Sequence, residues 1–154
     1  MVLRTLAIIV LAATGPVAHA QQGQCDPAAF REAVARASAT ITGLHEKNGP
    51  VFQEHLQKLR VLNNWQEAQY VVNAAPFVKD ETTASLDIAN QALLAKVQSL
   101  DAAGATTESG RCAMLAELKS AMEKVVSNTA AKWEHMLDKA NRASIRPIQA
   151  GFAR

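Results

Sequence analysis

The longest periodic pattern of the chain lies in its C-terminal third and constrains the fold most strongly. Between residues 111 and 142, mostly apolar side chains recur at steps of three and four: Leu115, Leu118, Met122, Val125, Thr129, Trp133, Met136 and Ala140. These steps place side chains on one face of an α-helix, which turns once per 3.6 residues. We therefore predict one amphipathic helix of about 32 residues, roughly 48 Å long.

Helix caps and breakers divide the first half of the chain into predicted shorter helices. Asp26-Pro27 opens the first helix, because Asp accepts hydrogen bonds from the first-turn amides and Pro suits the first helical position. Asn48-Gly49-Pro50 is predicted to end it, since Asn and Gly favour helix C-termini and Pro cannot continue the hydrogen bonding. A weak break at Asn63-Asn64 divides residues 51–75 into two helices, and Pro76 stops the second.

Another helix is predicted to begin after Asp80, whose side chain caps it and whose successor Glu81 complements the helix dipole. Its apolar positions are again spaced by three and four residues, and Ala102-Ala103-Gly104 closes it. Residues 144–154 contain Pro147 and Gly151 and are predicted to form a flexible tail of basic and apolar residues.

The two cysteines of the predicted mature chain, Cys25 and Cys112, form an even set without a C-x-x-C motif, which favours a structural disulfide. An up-down bundle of four helices would place these cysteines at opposite ends, whereas a disulfide needs Cα atoms within about 7 Å. A chain reversal at Asn63-Asn64 adds one helix, so that the first and the last helix begin at the same end of the bundle. The predicted fold is all-α: an up-down bundle of four or five helices over residues 21–143, with a short central helical hairpin at 51–75 and a long C-terminal helix.

The first 20 residues are typical of a cleavable export signal. Arg4 precedes the apolar run of residues 6–13, and Ala18-His19-Ala20 provides a cleavage site after Ala20. A retained anchor is the alternative, although the run is shorter than the roughly 20 residues that span a bilayer. We expect a periplasmic or secreted protein that is not integral to the membrane.

No chemistry-bearing motif is present in the sequence. It lacks C-x-x-C-H for covalent haem, Glu-x-x-His pairs for di-iron, H-E-x-x-H for zinc, G-x-S-x-G and a Gly-rich phosphate loop. Met122 and Met136 lie on the apolar stripe, where they are more often core residues than haem ligands. We predict no catalytic residue, no metal site and no cofactor, and therefore no enzyme. The net charge of +2 argues against nucleic acid as a partner.

Two features favour contact with a partner or an apolar ligand. Trp65, Tyr70 and Phe77 surround the suspected hairpin, where a groove between helices could form, although ordinary core packing explains them too. Arg146 and Phe152 belong to the basic, apolar tail, which could dock on a partner or fold back on the bundle.

The sequence therefore predicts a small exported helical protein that acts without catalysis, through contact with a protein of the cell envelope or with the envelope itself. The length of the last helix also favours a homodimer. One alternative is a carrier that binds haem or another apolar molecule in a helical groove. Another is a helical periplasmic chaperone.

Overall fold

The structure is a computed structural model that describes residues 25–103 and 105–150, apart from the side chains of residues 101–103 and 146–150. The predicted export signal lies outside the described residues. Within them the chain forms four α-helices and a single 3-10 turn at Glu67–Gln69, which confirms the predicted all-α class. The helices are α1 (Pro27–Leu62), α2 (Tyr70–Val78), α3 (Glu81–Ala103) and α4 (Glu108–Ala150).

Cys25 and Cys112 are joined by a disulfide, with their Cα atoms 5.0 Å apart. Because these residues precede or begin α1 and α4, the two long helices start at the same end of the bundle, which we call the disulfide end. They run parallel toward the other end, which we call the distal end. There the chain reverses, forms α2 and returns along α4 as α3, so that α3 is antiparallel to α4.

Helix α1 is continuous across Asn48-Gly49-Pro50, and the predicted helix end at these residues is therefore wrong. Pro50 costs one backbone hydrogen bond, but the segments on both sides of it pack against α4. The apolar stripe also keeps its register, because Leu44, Asn48 and Phe52 follow one another at steps of four. With α1 unbroken, three long helices run along the bundle. The first and the third of them, α1 and α4, start at the same end, as the Cys25–Cys112 disulfide requires.

The predicted reversal at Asn63-Asn64 is present. The α1 C-terminus is capped at Asn63, whose side-chain amide donates to the Leu59 carbonyl at 2.8 Å. Asn64 adopts a left-handed conformation with φ of 52°, which Asn tolerates better than most residues. The predicted hairpin at 51–75 thus has the distal part of α1 as its first arm. Pro76 was predicted to stop the second arm, but α2 contains Pro76 and continues to Val78.

Two apolar clusters hold the long helices together. The disulfide-end core contains buried residues of α1 and α4, with partly buried α3 side chains packed on it; its buried members are Ala37, Leu115, Leu118, Met122 and Val125. The distal core joins α1, α2 and α4 through Phe52, Leu56, Leu59, Ala74, Met136 and Ala140. The predicted C-terminal stripe therefore faces the core along most of its length.

Asp80 caps α3 as predicted. Its carboxylate accepts from the Thr83 backbone N–H at 3.0 Å, and the Thr83 hydroxyl accepts from the Asp80 N–H at 2.9 Å. On the α4 side, the Lys132 ammonium contacts the Asp87 carboxylate at 2.7 Å. Helix α4 continues to Ala150, so the predicted start of a tail at Ser144 lies inside the helix instead.

Candidate interaction surface at the distal end

The outward side of α2 is apolar and exposed. Val71, Ala75 and Val78 follow at steps of four and three residues and share one helix face, with Val72 beside them. Val71 is 76% exposed and Val72 is 72% exposed. We call these four residues the distal apolar face.

Length and composition explain why this face stays uncovered. The sequence of α2, YVVNAAPFV, has no charged residue and carries apolar side chains all around the helix. A helix of nine residues that lies on the surface of a bundle can bury only one side. Ala74 is buried in the distal core and Phe77 packs partly against it, so the opposite side faces solvent.

The aromatic residues singled out from the sequence do come together, but against the bundle. Trp65, Tyr70 and Phe77 are half-buried and pack on the distal core. The Trp65 ring centroid lies 6.4 Å from that of Tyr70 and 6.4 Å from that of Phe77. Core packing, the alternative weighed from the sequence, therefore accounts for their contacts, and they support α2 from its inner side.

Arg60 ties the end of α1 to the start of α2. Its guanidinium contacts the Glu67 carboxylate at 2.5 Å and lies 5.7 Å from the Tyr70 ring centroid, within the range of a cation–π interaction. The Tyr70 hydroxyl is buried without a hydrogen-bond partner among the described residues. The contacts that hold the first turn of α2 are thus made by the aromatic ring of Tyr70 and not by its hydroxyl group.

Asp80 connects the α2–α3 junction to α4. Its Oδ2 lies 2.7 Å from His135 Nε2 and 2.7 Å from Lys139 Nζ, and Lys139 also donates to the Pro76 carbonyl at 2.7 Å. The hydrogen bond from His135, followed by those from Lys139 and the Thr83 N–H, lowers the pKa of Asp80 well below its usual range. The Asp80 side chain is therefore ionised in the folded protein at neutral pH.

The remaining predicted contact residues lie at or beyond the end of α4. Arg146 belongs to the last turns of α4, and its side chain is outside the described set; Phe152 lies outside the described residues altogether. From the sequence, Val71, Val72 and Val78 belong to the same apolar segment as the aromatic residues, which was linked to a groove between helices and not to an outward face. The sequence feature that indicates them is an uncharged nine-residue helix in which Asn73 and Tyr70 are the only residues with polar side-chain groups.

Two grooves run between α1 and α4. The one near the disulfide end has a volume of about 390 Å³ and is lined both by apolar residues, such as Ala37, Met122 and Val126, and by charged residues, such as Arg36 and Lys119. The other is more open, with a volume of about 520 Å³, and is lined by His55, Trp133 and several polar residues. In the described part of the chain, no three His, Cys, Asp or Glu side chains gather as metal ligands. None of the helices found there is long and apolar enough to cross a membrane.

Comparisons with protein families, with curated proteins and with solved structures find no match to this chain.

Proposed function

We propose that this protein acts without catalysis by binding a partner protein through the distal apolar face. The observation that carries the proposal is the exposure of Val71 and Val72, both above 70%, on one side of an uncharged helix. Apolar side chains scattered singly over a surface are ordinary, whereas contiguous exposed ones are typical of interaction sites. The Cys25–Cys112 disulfide is compatible with an exported protein, and we propose the cell envelope as the place of this contact.

The exposed valines are the apolar anchors that this proposal assigns to the partner. Covering a Val side chain completely contributes roughly 1.5–3 kcal/mol relative to leaving it in water. Val71 and Val72 are both mostly exposed, so the greater part of that gain is still available to a partner at each residue.

The test is quantitative capture of the partner by the wild-type chain and by two variants. The double variant Val71→Ser/Val72→Ser removes the two anchors, and a loss of about 2 kcal/mol corresponds to roughly 30-fold weaker binding. Ile88→Ser is the matched control, because Ile88 is a similarly exposed apolar residue (67%) that belongs to α3 and not to the distal apolar face. Binding that is unchanged in the double variant, or weakened as much by the control, contradicts the proposal.

A carrier of an apolar molecule is the second candidate function, favoured by the groove near the disulfide end. Its apolar lining consists of alanines of α1 and of Met122 and Val126 of α4, its remaining lining is polar or charged, and its volume lies within the usual range of ligand pockets. Native mass spectrometry of the purified protein tests this candidate. A bound mass of a few hundred daltons that disappears in an Ala33→Trp variant supports it, whereas a bare chain mass contradicts it.

A further inference from the structure

Helix α2 has little fully buried apolar surface of its own. Ala74 is the one α2 residue in the described chain that is buried in the distal core, while Tyr70 and Phe77 are half-buried. By contrast, α1 contributes Phe52, Leu56 and Leu59 to the same core, and Leu59 is 2% exposed. Separating α2 from the bundle therefore costs much less apolar burial than separating the long helices.

Both connections of α2 are built from non-helical residues. On the N-terminal side, Asn64 is left-handed and Gln66 is extended, with φ of −68° and ψ of 155°. On the C-terminal side, Lys79 alone separates α2 from the cap of α3, and it is extended as well, with φ of −124° and ψ of 115°. Rotation at these junctions can move α2 without breaking the helical hydrogen bonds of α1 or α3.

Polar side chains hold both ends of this element: Arg60 contacts Glu67 and the Tyr70 ring at the N-terminal end, and Lys139 clamps the C-terminal end. Lys139 Nζ donates to the Pro76 carbonyl within α2 and to Asp80 Oδ2 just after it, both at 2.7 Å. His135 contacts the same Asp80 oxygen from one turn earlier on α4. Because Asp80 also caps α3 through Thr83, the clamp fixes the C-terminal end of α2 against both α3 and α4.

We propose that α2 is a lid that opens independently of the bundle, hinged at residues 63–66 and at Lys79 and latched by Lys139. Opening uncovers apolar surface of the distal core beside Ala74. This inference does not rest on the proposed function, because it concerns how α2 is held and not what binds its outer face.

The test is hydrogen–deuterium exchange of the full chain, followed by peptides that cover α2 and by peptides from the middle of α1 and α4. Local opening predicts that α2 amides exchange faster than those of the long helices. Lys139→Met keeps the length of the side chain but removes the latch. Loss of charge-assisted hydrogen bonds by a side chain that is 34% exposed is expected to speed α2 exchange about tenfold, with the long helices unchanged.

Lys132→Met is the matched control, because Lys132 makes an equivalent ion pair with Asp87 between α4 and α3 but does not contact α2. It is expected to leave α2 exchange as in the wild type. Two results overturn the lid: α2 amides that exchange only together with those of α1 in all three proteins, or equal acceleration of α2 exchange by both substitutions.

Discussion

The continuity of α1 across Gly49-Pro50 predicts that replacing either residue by Ala stabilises the protein. A helix that ended at Asn48, as the helix breakers in the sequence suggest, predicts the opposite or no change. Pro50 is exposed and lies inside a helix of 36 residues. Pro is about 3 kcal/mol less favourable than Ala in a helix interior, partly offset by its roughly 0.4–1 kcal/mol benefit through the unfolded chain. Pro50→Ala is therefore expected to stabilise the protein by about 2 kcal/mol.

Gly49 provides a second and independent test of the same helix. A Cβ added at Gly49 meets no atom within 4 Å, so Gly49→Ala gains helix propensity without a steric clash. The expected gain is about 1 kcal/mol. Gly43→Ala is the matched control, because Gly43 has equally open surroundings and lies inside a helix whether or not α1 ends at Asn48.

The assay is urea denaturation followed by circular dichroism, with thermal melting as a check. A gain of 2 kcal/mol corresponds to a rise in Tm of roughly 8 °C for a domain of this size. If a helix ended at Asn48, Gly49 and Pro50 would occupy positions that favour them. Pro50→Ala and Gly49→Ala would then be neutral or destabilising while Gly43→Ala still stabilised, and this result would refute a continuous α1.

Three further predictions concern the core, the disulfide and the Asp80 cluster. Leu59→Ala, at a position 2% exposed, is expected to cost about 3 kcal/mol in urea unfolding, whereas Val61→Ala, at a position 79% exposed, should stay within about 0.5 kcal/mol; equal effects would contradict the assigned burial. Replacing both Cys25 and Cys112 by Ala removes a cross-link between residues 87 apart and should cost about 4 kcal/mol in the same assay; an unchanged unfolding midpoint would count against the disulfide. Asp80→Asn should lower stability at pH 7, because the native pKa of Asp80 is lowered, so its contribution is complete above the unfolded value of about 3.9 and is lost as pH falls toward the native pKa. The stability difference between wild type and variant should narrow below about pH 4, and a difference that is constant with pH would contradict the assigned role of the carboxylate.

Local patterns predicted the helical class, because the relevant interactions are close in sequence. The stripe from Leu115 to Ala140 faces the core, and Asp80 caps α3 through a residue only three positions away. The exposed ion pairs Glu32–Arg36, Glu54–Lys58 and Asp138–Arg142 are local in the same way, because each joins side chains four residues apart on one helix face.

Proline and glycine residues gave wrong helix ends at positions where tertiary packing determines whether the helix continues. At Pro50 the lost hydrogen bond is local, whereas the burial of Phe52 and Leu56 against α4 that compensates for it is not. The register of Leu44, Asn48 and Phe52 was the available evidence for continuity. At Pro76 the helix likewise extends three residues beyond the predicted end at residue 75.

The candidate surface was the least predictable feature. Apolar residues of α2 were visible in the sequence, but which of them face solvent depends on which side of this short helix packs against α4. The aromatic residues Trp65, Tyr70 and Phe77 were the natural candidates because of their size, and they pack inward. The valines on the opposite side remain exposed because no other described element covers them.

Site-specific photo-crosslinking in cells that produce the protein tests the central claim most directly. A photoreactive phenylalanine analogue placed at Val72 reports contacts of the distal apolar face, and the same analogue at Ile88 reports an exposed apolar site on α3. We predict a discrete adduct of higher mass from position 72 and none from position 88. The absence of an adduct at position 72, or the same adduct from both positions, would contradict the assignment of the distal apolar face as the partner-binding surface.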